Sequence, residues 1–188
     1  NPNPAAKYQM IAFVNTCHEG LAILATHRVV ANLEDFNLTT LLGRLKENFE
    51  LTEYRFNSPE QKHEAKQRML DQMKVEHDKG RNAFGIYAGD NAFYVAVLKN
   101  VEAMNQAATD KSPAWRSLDV AVLQKLILEQ LLGIDERKLA RGTNVEYVKD
   151  NGNKVDEIIE QIDTGQKQVA FFMNPPKMEQ IERVADMG

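Results

Sequence analysis

The chain has 188 residues, 43% of them hydrophobic and 27% charged, and a net charge of −4. That length sustains one domain with a proper core without requiring two, and the balance excludes an intrinsically disordered chain. The mild acidity, with no Lys/Arg run longer than two residues, argues against a general nucleic-acid-binding surface.

The single cysteine, Cys17, excludes an internal disulfide and, lacking partners at the right spacing, a thiolate zinc site. No apolar stretch approaches the length of a membrane span, and no signal-peptide pattern is present, so a cytoplasmic protein without a membrane partner is expected. The chain starts at Asn1 rather than Met and stops at Gly188 directly on a helical pattern, which reads as a piece of a longer protein.

Beyond the Asn1–Lys7 leader, Met10–Val14 is a short continuous apolar run of the kind found in strands covered on both faces. Leu21–Val30 continues it across a Glu19-Gly20 turn, so the two are expected as neighbouring antiparallel strands. Asn37 is a plausible cap for a helix carrying Leu38, Leu41, Leu42, Leu45 and Phe49 on one stripe. Leu51–Phe56 reads as a weaker strand near a sheet edge. Ser58-Pro59-Glu60-Gln61 is a strong helix start, and the helix runs to about His77 with a narrow apolar stripe before Gly80 ends it.

Ala83–Ala88 and Ala92–Leu98 flank Gly89-Asp90-Asn91, a clear hairpin signal. Asn105–Pro113 is polar and rich in breakers, so a surface loop is expected there, with a possible subdomain break; a single sheet remains the favoured arrangement. Leu118–Leu132 is the most apolar helix, started by Ser117 and stopped by Gly133, with Ile134 placed for a helix-ending contact. Val145–Val148 is a short strand, and Val155, Ile158, Ile159 and Ile162 share a helical stripe. Val169–Met173 is a buried strand, followed by Asn174-Pro175-Pro176 and a helix carrying Met178, Ile181 and Val184. The class is therefore α/β with an α+β tendency: a mixed sheet of about seven strands, antiparallel hairpins early, βαβα alternation late, and helices on its faces.

Thr26, His27 and Arg28 end an apolar strand, where unpaired polar groups are costly to bury. In a regular strand His27 shares a face with Ile23 and Ala25, and Thr26 and Arg28 share the other with Leu24. His27 and Arg28 then serve one pocket only if the strand ends or bulges there. An imidazole beside a guanidinium fork suits a carboxylate or phosphate ligand; the alternative is an ordinary strand end with Arg28 paired to Glu34 or Asp35. Cys17 and His18 are adjacent, a poor arrangement for nucleophilic chemistry. His63 and His77 lie on a solvated helix at a spacing that makes no metal pair, and no metal site is expected.

Asn174-Pro175-Pro176-Lys177 is the second locus. A buried strand feeding a helix N-terminus offers unpaired N–H groups, and Lys177 adds positive charge; alternatively Asn174 simply caps the helix. Asp119 reads as a first-turn acid or, less readily, a general base. One anionic small molecule could draw on His27 or Arg28 and on the start of the last helix if the two loci share a pocket. No glycine-rich phosphate loop or nucleophile elbow occurs, so no cofactor is expected on this chain alone.

Five segments in order resemble the bacterial and archaeal family catalogued as domain of unknown function 1015. They are Met10–Val30 with its ATHRVV ending, Ala83–Lys99, Ser117–Asp135, Asn144–Asp150 and Val169–Lys177. The resemblance implies further segments on both sides as partners. These are an amino-terminal half similar to the ParB/sulfiredoxin-like nucleotide-handling fold, ending in Gly-His-His-Arg, and a following segment with a Lys-Ser-Thr pattern; neither motif occurs here. It carries over Thr26, His27, Arg28, Asp119, Asn174 and Pro175 as pocket positions. It also implies either a small-molecule enzyme, phosphoryl transfer by analogy with free-serine kinases, or a non-catalytic ligand-sensing or regulatory module.

Overall fold

A computed structural model describes residues 23–187. Met10–Val14, Cys17 and His18, and with them the expected pairing of the first two apolar runs, lie outside the described residues. The described strands are β1 (Thr26–Val30), β2 (Phe49–Arg55), β3 (Ala83–Tyr87), β4 (Ala92–Leu98), β5 (Val145–Lys149) and β6 (Val169–Phe172). The helices are α1 (Leu38–Asn48), α2 (Pro59–Asp78), α3 (Glu102–Ala107), α4 (Pro113–Arg116), α5 (Asp119–Val122), α6 (Glu136–Arg141), α7 (Lys154–Asp163) and α8 (Met178–Met187). A π-helical segment, Leu123–Glu129, continues α5 without a break.

The six described strands form one sheet in the order β2-β4-β3-β6-β1-β5. The α/β class stands, with six described strands rather than about seven. Every neighbouring pair is antiparallel, where a mixed sheet was the expectation. The late βαβα alternation explains the difference. β5 and β6 do run in the same direction, but β1 inserts between them and opposes both. Their carboxyl ends, each feeding a helix, thus flank the start of β1.

Helices cover both faces. On one, Phe84, Ile86, Ala96 and Phe171 pack with Leu41 and Leu45 of α1 and with the α5–π helix. On the other, Val29, Tyr87, Val95 and Phe172 pack with Met69 and Met73 of α2 and Ile158 and Ile162 of α7. Each fully buried aromatic or aliphatic side chain contributes about 1.5–3 kcal/mol. Gly85 lets α2 approach: a Cβ there would lie 2.6 Å from Met73 Sδ and 2.8 Å from Met69 Sδ.

Local signals explain most boundaries. Asn37 accepts from Thr40 N–H at 2.8 Å, and Ser58 caps α2 with Pro59 in its first turn. β2 lies at the sheet edge, as its weak pattern implied. Gly133 (φ +65°) and the Ile134 N–H donating to Leu128 O at 2.8 Å end the core helix.

Three expectations change. The Asn105–Pro113 stretch is not simply a loop: α3 reaches Ala107, and Ser112 caps α4 by accepting from Trp115 N–H at 3.2 Å. Buried Met104 and Ala108 tie this stretch to the core. Ser117 does not start the core helix; its hydroxyl donates to Ala114 O in the preceding turn, and α5 begins at Asp119. The core helix is wider than an α-helix, with Leu132 N–H bonded to Ile127 O at 3.1 Å, five residues back.

Candidate functional site

The site lies where β1 begins and β5 and β6 end. His27 is 2% exposed and packs its ring edge-on to Phe172, centroids 5.3 Å apart. It lies on the α2–α7 face, as strand alternation from Val29 requires. Its Nδ1 accepts the Met173 backbone N–H at 3.1 Å. A ring nitrogen that accepts carries no proton, so the neutral ring holds its proton on Nε2. Nε2 lies 3.4 Å from Asp150 Oδ2 and has no closer partner. Burial holds the His27 pKa below its ordinary value; Asp150 opposes that shift without reversing it, and Arg28 adds to it.

Asp150 directly follows β5. Its N–H donates to Ala25 O at 2.9 Å, and its Oδ1 accepts from the Gly152 and Lys154 N–H groups at 2.9 and 3.3 Å, fixing the start of α7. Partial burial pushes its pKa up, but those two backbone donors and His27 outweigh it, and the net value lies below the ordinary carboxylate range. Oδ2 therefore remains as an ionised oxygen at the cleft.

A cleft of about 740 Å³ opens beside this pair. Asn174, Pro175, Pro176 and Lys177 form the β6–α8 side, Lys66 and Met73 of α2 another, and Asp150, Gly152 and Asn153 the α7 side. Asn174 Nδ2 donates to Met73 O at 3.2 Å, so Asn174 ties β6 to α2 rather than capping α8. Lys177 Nζ donates to His77 O at 2.8 Å, and among the described residues it has no ion-pair partner. Lys66 and Lys74 are paired with Asp156 and Asp78.

His27, Asn174 and Lys177 thus line one cleft. Thr26 and Arg28 do not join them. Arg28 sits over the Tyr147 ring, 4.3 Å from its centroid, and donates to Thr26 O, so it serves neither the pocket nor Glu34 or Asp35. Thr26, His27 and Arg28 open β1 rather than end it, and the strand stays regular to Val30, which leaves alternation in force. Asp119 is a first-turn acid, but it lines a neighbouring cleft that shares His77 and Lys177 with the first. His77 is not solvated as its charged helix implied: it is 8% exposed, with Nδ1 3.5 Å from Asp119 Oδ2.

The family model described as "Protein of unknown function (DUF1015)" matches residues 1–121, more than half of the chain. The chain belongs to DUF1015. No curated protein and no solved structure matches it.

The DUF1015 match contains β1 and His27 and ends just past Asp119, so Asp150 and Asn174–Lys177 lie beyond it. Among the described residues no cluster of side chains could hold a metal ion, and no helix is long and apolar enough to cross a membrane. Sequence reading missed Asp150 and the burial of His77. Both left a signal: Asp150 stands four residues before Lys154 in a turn-forming Asp-Asn-Gly, and His77 continues the Ala65, Met69, Met73 stripe.

Proposed function

We propose that the cleft beside His27 binds a small molecule carrying one carboxylate or phosphate group and one hydroxyl, and that this chain is part of a small-molecule enzyme. The observation that carries the reading is the pairing of His27 with Asp150 opposite Lys177. His27 Nδ1 is occupied by a backbone donor, so the imidazole acts as a hydrogen-bond donor and Asp150 is the group able to accept a proton. Lys177, which makes no contact ion pair and feels Asp78 only at longer range, is the counter-ion for the anionic group, assisted by the N-terminal end of α8.

The reaction class assigned is phosphoryl transfer. Asp150 takes the hydroxyl proton, the substrate oxygen forms its bond to the γ-phosphorus of a nucleoside triphosphate, and the nucleoside diphosphate leaves with the electron pair of the broken bond. Support for this class comes from the family resemblance, whose nucleotide-handling half would hold the nucleotide. The rival is a ligand-sensing module, which has binding without turnover.

A thermal-shift screen of carboxylate- and phosphate-bearing metabolites, with nucleotide added in a second arm, tests the reading on the longest available chain. Lys177→Ala is expected to weaken a stabilising hit at least tenfold, and Asp150→Asn to retain binding but lose turnover by about 10²-fold or more. Hits insensitive to both substitutions would overturn the site. Hits sensitive to Lys177→Ala with no turnover in the wild type would assign the sensing role.

A further inference from the structure

The cleft on the other side of Lys177 has a different electrical character. It encloses about 480 Å³ between the α3–α4 region and α8, at the same end of the sheet. Four cationic side chains line it, Arg81, Arg116, Lys177 and Arg183, against two carboxylates, Asp119 and Glu179. In a chain of net charge −4 this is a local excess of the opposite sign. The His27 cleft, by contrast, is lined by three lysines and three aspartates.

Partnering sharpens the contrast. Arg81 is held by Glu76, whereas among the described residues Arg116, Lys177 and Arg183 have no ion-pair partner. Arg116 Nε is buried and makes no hydrogen bond, the kind of orphaned donor that demands a reason. Asp119 makes no ion pair with these cations: Oδ1 accepts from Asn82 Nδ2 at 2.6 Å and Oδ2 faces His77. Glu179 stands exposed in the first turn of α8.

We propose that this second cleft is a phosphate-binding site, with the Arg116 and Arg183 guanidinium groups and the Lys177 ammonium as its donors. Guanidinium forks match the tetrahedral oxygens of a phosphate and hold it by charge-assisted bonds. Three unpaired cations favour a dianionic phosphate over a single carboxylate. The inference stands apart from the reaction assigned to the His27 cleft, because its donors, Lys177 excepted, belong to this cleft alone.

Isothermal titration of the chain with inorganic phosphate, pyrophosphate and acetate tests it. Phosphate and pyrophosphate are expected to bind and acetate to bind at least tenfold more weakly. Arg116→Gln combined with Arg183→Gln should weaken phosphate at least tenfold, and Arg28→Ala, which lines neither cleft, should leave it within twofold. Should Arg116→Gln fail to fold by circular dichroism, Arg183→Gln alone decides, since that side chain is exposed. Absence of phosphate binding in the wild type, or undiminished binding in the arginine variants, would overturn the proposal.

Discussion

Two histidine–aspartate pairs stand at one end of the sheet, and they are built in opposite ways. His27 and Asp150 are 3.4 Å apart, His77 and Asp119 3.5 Å apart. Backbone holds the first pair: Met173 N–H occupies His27, and Gly152 and Lys154 N–H groups hold Asp150. A side chain holds the second, Asn82 bonding Asp119, and His77 comes from the end of a helix. A backbone donor fixes both the position and the protonation of the ring it meets. A side-chain partner can turn away. The first pair is therefore held by backbone and the second by a side chain, at the wall between two clefts.

The two pairs should differ most in what they contribute to stability. His27→Ala removes a fully buried ring, its contact with Phe172 and the partner of a buried N–H, and is expected to cost about 2–4 kcal/mol. His77→Ala, at the rim of both clefts, should cost about 1–2 kcal/mol. Urea denaturation of the two variants checks the order, and equal losses would remove the distinction.

Gly85→Ala comes next. Its methyl would press on Met73 and Met69 and lift α2, which carries His77, for about 1–3 kcal/mol. Ring signals of His77 should move in the NMR spectrum more than those of His27; the reverse would mean that the sheet yields rather than the helix.

Acid sharpens the contrast further. His27 titrates below its unfolded value of 6.5 in the folded chain. The unfolded chain then binds more protons between those two values, so stability rises with pH across that window. His27's contribution is fully present above about 6.5 and declines as pH falls from there toward the folded value. His27→Gln should flatten the stability profile in that window, while leaving the loss at lower pH that comes from carboxylates such as Asp150.

Arg28→Ala is the smallest expected effect, about 0.5–1 kcal/mol from the lost stack on half-exposed Tyr147. Ligand binding in either cleft should not change, since Arg28 lines neither.

These outcomes also show what the sequence could carry. Caps and apolar stripes placed α1, α2, α7 and the β3–β4 hairpin, because such signals act within a few residues. Strand alternation separated His27 from Arg28 correctly, since β1 stays regular. Sheet order was not legible: β1 inserts between β5 and β6 across more than a hundred residues, and no local pattern encodes that choice. Asp150 was missed for the same reason. Its turn chemistry announced a helix start, whereas its use at the cleft depends on β5 lying beside β1. Asn174 and Lys177 were visible as a strand-to-helix turn, but that Asn174 binds α2 could be read only from the packed chain.

The claim on which the site rests is that His27 is a neutral donor fixed by backbone, which leaves Asp150 to accept the proton. Long-range 1H–15N correlation of the histidine rings at neutral pH measures this directly. The predicted result is an unprotonated, hydrogen-bonded Nδ1 and a protonated Nε2 for His27, abolished as a signal in His27→Gln. A proton on Nδ1 would contradict it and return the role of base to Nε2 of the histidine, and an imidazolium at neutral pH would contradict it by making the ring an acid.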